Sequence, residues 1–418
     1  MLRCAIIFIT VASLAPAQEL TLADCVRLAE GVPSQLSLAR QDRDIANREI
    51  TQARASFLPS TQINSGYVYN STVAGGTGSF VNLNGPHEYI TQATIAQELD
   101  TSGRLRADLQ RARAVEGAAT ASIGIAQRDL KRAVAAAYYR LLLTRRLVKV
   151  AGDALDESRS FERRSQLLFQ NGEAARADVV KAQSQTAVLE AALKSAQTEA
   201  ELANYELAAF WTRDVTAQLA IEDVFEKPPP SAEEIPATQG TPYLRRLEFN
   251  LLDAQKRTFE AESRGARSAM LPHLTFAFQY GLDAPAFRAS ERGYAAFVNL
   301  NIPVFDWLKA SAAAREFQLR AQQVDGHRAM TERATSKEYE SARTRVRRYF
   351  EQIAALEAQV KLAEEDLMLS RVRYEGGEGS ALDVVTVQNQ LAQARAGYYT
   401  NLANYLIARA DLEVADGR

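Results

Sequence analysis

The chain has 418 residues, 47% apolar and 24% charged, a composition that folds rather than staying disordered and leaves room for two or three ordinary domains. Its formal net charge of -2 gives no electrostatic reason to expect a nucleic-acid partner, since phosphate-backbone binding rests on a clustered excess of Lys and Arg.

The first residues, MLRCAIIFITVASLAPAQ, set Arg3 ahead of an apolar run from Cys4 to Leu14 and an Ala15-Pro16-Ala17 cleavage signal. Residues 1–17 are expected to be a signal peptide that is cleaved on export, since a membrane-spanning helix needs about 20 apolar residues. Its removal leaves Cys25 as the only thiol, so no intramolecular disulfide is available and stability must come from packing and assembly. Asp24 directly before Cys25 is unlike a lipoprotein processing site, and no acyl anchor is expected. Cys25 reads as a small apolar residue on the inner face of a first helix.

Proline, which breaks a helix interior, is absent between Pro86 and Pro228 and again after Pro303. Each of these regions is alanine-rich and charged. In the first, Val179, Ala182, Thr186, Leu189, Leu193, Ala196, Ala200, Ala203, Leu207 and Phe210 step by three and four residues, a coiled-coil seam. Leu130, Val134, Ala137, Leu141, Thr144, Val148, Ala151 and Leu155 form a like seam upstream. The helix before the turn is expected from about Ser102 to Phe169, roughly 100 Å at 1.5 Å per residue, and about forty helical residues follow the turn. The turn itself, FQNGEAARADVVKAQ from Phe169, returns as YEGGEGSALDVVTVQ from Tyr374, a shift of 205 positions (374 − 169) that superposes Gly172 on Gly377, Asp178 on Asp383 and Gln183 on Gln388 without a gap. The chain is an internal duplication, with Gly172 and Gly377 expected at positive φ.

Four segments alternate with period two. His273–Leu282 sends Leu274, Phe276, Phe278, Tyr280 and Leu282 to one face, and Tyr294–Ile302 sends Tyr294, Ala296, Val298, Leu300 and Ile302. Gln62–Asn70 and Tyr89–Leu99 are weaker counterparts, with Ile63, Tyr67, Tyr69, Tyr89, Ala93 and Ile95 as the apolar set. Turn-rich loops, STVAGGTGSFVNLNGP and DAPAFRASERG, lie between the members of each pair. The expected domain plan is a first repeat at 18–225, a crossover linker at 226–242 and a second repeat at 243–418, each repeat reading helix, two strands, long helical hairpin. Strands of about ten residues with one apolar face suit a transmembrane β-barrel; a soluble sheet packed on a core is the other reading of the alternation. In the first reading Phe276, Phe278, Tyr280, Val298 and Leu300 face lipid. Four strands are too few to close a barrel in lipid, so several copies must join; two would supply eight strands and three would supply twelve.

Taken together, LTLADCVRLAE from Leu20, ARASFLPSTQINSGY from Ala53, AVAAAYYRLLLTRRLV from Ala133 and the two elbows resemble the TolC family of outer-membrane efflux channels, and the resemblance covers essentially the whole mature chain. It implies a mainly α protein with membrane β: a homotrimer whose duplicated helical-hairpin/β-hairpin units build a 12-stranded β-barrel in the outer membrane of a Gram-negative bacterium, continued by a 12-helix periplasmic tunnel. It further implies a passive duct without cofactors, working with a periplasmic adaptor protein and an inner-membrane RND, ABC or MFS transporter. The elbows, with Gly172, Glu173, Gly376, Gly377 and Glu378, then form the periplasmic tip where the adaptor docks. Asp178 and Asp383 fall where the family rings its pore constriction with carboxylates, and Tyr374 where a tyrosine locks the closed tip. Thr386 and Gly379 replace an acidic residue and an Arg of that closure. Ser380-Ala381-Leu382-Asp383 is equally a helix-capping box, and Tyr374 equally a packing residue.

No catalytic constellation is evident. His87, His273 and His327 lie far apart without metal-ligand spacing, and YEGGEG lacks the strand and the Lys-Ser/Thr of a phosphate-binding loop. The competing function is a soluble periplasmic coiled-coil scaffold or adaptor.

Overall fold

A computed structural model describes residues 19–71, 86–230 and 240–417. The expected signal segment, most of the loop between the first two strands and the middle of the expected crossover linker lie outside the described residues. The elements in chain order are α1 (Leu22–Glu30), α2 (Gln35–Ala55), β1 (Ser60–Tyr69), β2 (His87–Leu99), α3 (Arg104–Gln170), α4 (Arg176–Ala208), α5 (Leu247–Ser268), β3 (His273–Ala284), β4 (Arg292–Asn301), α6 (Lys309–Glu375) and α7 (Ala381–Ala415). The helices α3 and α6 each have 67 residues. They begin at 104 and 309, end at 170 and 375, and their return helices begin at 176 and 381, 205 apart in every case. The duplication is thus carried into the helices without an insertion.

Local chemistry explains where the helices begin. Thr21 and Asp24 form a capping box on α1, the Thr21 hydroxyl accepting from the Asp24 amide at 3.2 Å. Asp100 accepts from the Leu105 amide at 3.0 Å, and Asp306 from the Ala310 amide at 2.7 Å, so each long helix has a carboxylate at its positive end. The α3 start falls two residues after the expected Ser102 because Gly103 turns there with φ of 79°. Helix α4 has 33 residues rather than forty; beyond it the chain folds back, and Asn204 ties down the returning strand through the Leu219 amide and the Ala217 carbonyl at 3.1 and 2.8 Å.

The chain divides into two compact units. One comprises Met1–Ser37, Ala126–Arg245 and Thr335–Arg418. Its core gathers Cys25, Val134, Tyr138, Leu141, Leu207, Tyr405 and Leu412, with the Tyr138 hydroxyl donating to the Glu222 carbonyl at 2.9 Å. Every expected seam position on α3 and α4 is buried or half-buried. Burial pushes the Cys25 thiol up to about 11, the behaviour of an inert core cysteine.

The other unit comprises Leu38–Ile125 and Arg246–Ala334. It holds an antiparallel sheet in the order β1-β2-β3-β4. In its register Ile63 lies opposite Ala93, Ile95 opposite Phe278, Phe276 opposite Val298 and Leu274 opposite Leu300. Because paired residues share a face, the apolar sets of all four strands fall on one side, where Phe276, Phe278, Tyr280, Tyr294, Val298 and Leu300 are exposed. The pattern has local departures. Leu282 is buried although it belongs to the apolar face, because the loop after β3 folds over that end and sets Phe287 edge-on to Tyr89 at 6.5 Å. Phe297 sits on the reverse face, opposite Ala277, where Val68 and Ile90 also lie.

Candidate functional site

The two elbows are the same motif built twice. Gly172 and Gly377 take φ of 78° and 77°. The Glu173 amide donates to the Leu168 carbonyl at 2.8 Å and the Gly172 amide to Phe169 at 3.0 Å; Glu378 to Arg373 and Gly377 to Tyr374 repeat them at 2.9 and 3.1 Å. These paired bonds satisfy the last carbonyls of a helix and require a left-handed residue, which glycine supplies at least cost. Gly172, Glu173, Gly376, Gly377 and Glu378 are all exposed, so the turn presents backbone and two carboxylates to solvent.

Past the turn the duplication diverges. Ser380 and Asp383 form a complete capping box, the Ser380 amide donating to Asp383 at 3.0 Å and the Asp383 amide to the Ser380 hydroxyl at 3.2 Å. Those bonds, with Arg373 and Lys181 nearby, hold the Asp383 carboxyl below its ordinary 3.8. In the first repeat the cap position is Ala175, which offers no side-chain bond, and the half-exposed Asp178 carboxylate has no hydrogen-bond or ion-pair partner among the described residues. Tyr374 is buried, with its ring 5.0 Å from Phe161 and its hydroxyl donating to Ser165 at 3.2 Å. Its counterpart Phe169 is exposed. Of the three constriction candidates, the structure therefore presents the two aspartates to solvent and buries Tyr374 against Phe161 and Ser165. The Ser165 partner was not legible in the sequence.

Ser380→Ala is expected to weaken the start of α7 by about 1 kcal/mol, read as faster amide exchange over residues 381–385 while the start of α4 is unchanged. The sign of the pH dependence follows from the lowered Asp383 value. Its contribution is fully present above the unfolded value near 3.8 and is lost as pH falls through the lower folded one. The exchange protection of wild type should thus be flat above about pH 4 and fall below it, and Ser380→Ala should flatten that fall.

Two of the three histidines are used locally: Tyr67 Oη and His87 Nδ1 lie 2.7 Å apart, and Ser102 Oγ and His273 Nδ1 3.2 Å. Among the described residues no three His, Cys, Asp or Glu side chains converge as a metal site. No described helix is long and apolar enough to cross a membrane, a statement about helices that leaves the sheet untouched.

The chain matches the family model for outer membrane efflux proteins over residues 29–212 and 244–418. Among solved structures it is similar to the Campylobacter jejuni CmeC outer membrane channel, at 16% identity and a TM-score of 0.87 over 95% of this chain and 85% of that one. It is also similar to the outer membrane protein VceC from Vibrio cholerae, at 18% and 0.83 over 95% and 96%. A third is the open state of the Neisseria gonorrhoeae MtrE outer membrane channel, at 19% and 0.80 over 95% and 88%. No curated protein matches the sequence.

Proposed function

Since the chain belongs to the outer membrane efflux protein family, we propose that three copies form a passive exit duct through the outer membrane of a Gram-negative bacterium, fed by an inner-membrane RND, ABC or MFS transporter through a periplasmic adaptor that docks at the elbows. Residues 1–17 are then removed on export, and 18–225 and 243–418 are the two repeats joined by 226–242. The observation that carries this reading is the sheet: one apolar face exposed along four strands, with β1 and β4 as open edges. A soluble scaffold leaves that face in water and both edges unpaired. Lipid against the face and edge-to-edge closure by further copies satisfy both.

The internal duplication supplies a template for the junction between copies. Within a protomer, α3 packs on α5 through small residues, Gly117 against Ala254 and Ala107 against Gly265. Ala107, Ala114 and Ala121 of α3 are buried there. The equivalent stripe on α6, at Ala312, Leu319 and Gly326, is exposed. Helices α2 and α5 end at Ala55 and Ser268, so ahead of the strands the repeats match at a shift of 213 (268 − 55); at that shift Leu251 and Thr258 of α5 are half-buried, whereas Leu38 and Ile45 at the matching places of α2 are exposed. Helix α2 of the next copy fits α6 as α5 fits α3, and such a head-to-tail contact closes into a ring.

The test is made on full-length protein extracted from membranes. It should require detergent, run as a trimer before boiling and as a monomer after, and give discrete conductance steps in a planar bilayer. A monomer that stays in solution without detergent and carries no current overturns the reading.

A further inference from the structure

The connector from β4 to α6 does not follow its counterpart in the first repeat. Strands β2 and β4 start 205 positions apart, yet β2 runs to Leu99 whereas β4 stops at Asn301, three residues short of the matching Val304. The freed segment is Ile302–Leu308. At the same shift Leu308 falls on Gly103, and both are left-handed, with φ of 65° and 79°. Trp307, which falls on Ser102, has φ of 57°. Two successive bulky residues in that region are strained, and the side chains of the segment are exposed. Val304 is 88% exposed and Trp307 85%, with Ile302, Phe305 and Leu308 also exposed. The Phe305 and Trp307 rings meet edge-on at 4.9 Å.

The charges differ in the same way. In the first repeat Arg104 is paired with Glu98 at 2.5 Å. At the matching position Lys309 is exposed and has no ion-pair partner among the described residues, and the neighbouring Asp306 is occupied at the α6 amide. The first-repeat connector is polar and self-satisfied; the second is apolar, aromatic and followed by a free cation.

We propose that Ile302–Leu308 is a membrane-interface anchor, with Phe305 and Trp307 seated at the boundary between acyl chains and headgroups of the leaflet from which α6 departs, and Lys309 level with the lipid phosphates. This deepens the proposed function and rests on its reading that the apolar sheet face meets lipid. The occupant is lipid because the exposed apolar surface runs on without a break from Val298 and Leu300 of that face into the connector, and because Trp beside a cation is the chemistry of a bilayer boundary. Each trimer then carries three anchors, all from the second repeat, and they fix how deeply the barrel sits.

Full-length trimer is reconstituted in phosphatidylcholine vesicles whose acyl chains carry bromines at shallow, middle or deep positions. The difference in tryptophan emission between wild type and Trp307→Phe isolates Trp307 from Trp211; a Trp211→Phe protein reports Trp307 alone should Trp307→Phe fail to assemble. A second reporter, Phe278→Trp in the Trp307→Phe background, reads the middle of β3. Trp307 emission is expected to be quenched at least twofold more by shallow bromines than by deep ones, with the order reversed for the Phe278→Trp reporter. If the β3 reporter is quenched and Trp307 is not, the anchor is wrong while the lipid-facing sheet stands, whether iodide reaches Trp307 from water or a neighbouring copy shields it. If neither is quenched, the reading beneath the anchor fails with it.

Discussion

Gly281→Val is expected to remove the protein from the membrane as an assembled trimer, whereas Gly293→Val, one strand away, is expected to leave it there. Gly281 lies on β3 opposite Gln92 of β2, in the central pairing of the sheet. A Cβ at Gly281 would stand 2.0 Å from the Thr91 carbonyl oxygen and 2.7 Å from the Gln92 Cα. Both are backbone atoms, so no side chain can swing away to make room, and the two strands must part. Overpacking of this kind costs about 3 kcal/mol or more per copy. The ladder groups it frees then face lipid, where each unsatisfied one adds several kcal/mol. Gly293 is the β3–β4 partner of Gly281, yet a Cβ there meets nothing within 4 Å. Immunoblots of the membrane fraction, unboiled, should show at least about a tenfold loss of trimer for Gly281→Val, a factor equivalent to 1.4 kcal/mol, and near-normal amounts for Gly293→Val. Equal amounts from the two variants would mean that the strands are not paired as described.

Much of this architecture was legible because its physics is periodic. The α3 and α4 seams could be read from alternating steps of three and four residues, since a helix that buries one stripe must repeat its small residues at that spacing. The strands showed through their alternation for the same reason, and the elbows through duplication alone. What the sequence hid is whatever depends on approach rather than on period. Gly281 carries a weak signal, a glycine inside a strand pattern, but which neighbour comes close is a matter of register. Phe297 and Leu282 break the two-sided pattern for local reasons, one by facing the reverse side and the other by lying under the β3–β4 loop.

At the candidate site the limit was different. Tyr374 and Phe169 stand at equivalent places in nearly identical turns, and no rule of local sequence says that the first is buried against Phe161 while the second is exposed. That difference arises because each protomer has one internal junction and one open side. Asp178 and Asp383 part in the same manner, and there Ser380 against Ala175 did announce which of them is tied into a cap. The connector at 302–308 carried no signal, since neither a left-handed Trp nor its exposure has a period.

The open side yields the second large expectation: Leu319→Glu should abolish the trimer, while Leu319→Ala should preserve it. Leu319 is 47% exposed in the protomer, and its first-repeat counterpart Ala114 is 9% exposed against α5. If the next copy's α2 covers α6 as α5 covers α3, the arginines that flank Ala114 on α5, Arg257 and Arg264, are replaced by Asp44 and Thr51, so a glutamate at 319 loses its water without gaining a cation. Leaving a buried charge unpaired costs about 3–5 kcal/mol at each junction, and a closed ring of three meets that cost three times. Alanine, by contrast, restores the residue that the internal junction already uses. Ile45→Glu, on the opposing helix, is expected to act like Leu319→Glu, because Ile45 occupies the place of the half-buried Thr258. The measurement is mass by light scattering in detergent beside conductance in a bilayer, with amide exchange on the monomer to show that α6 still folds. A Leu319→Glu protein that assembles and conducts like wild type would place the junction between copies on some other face.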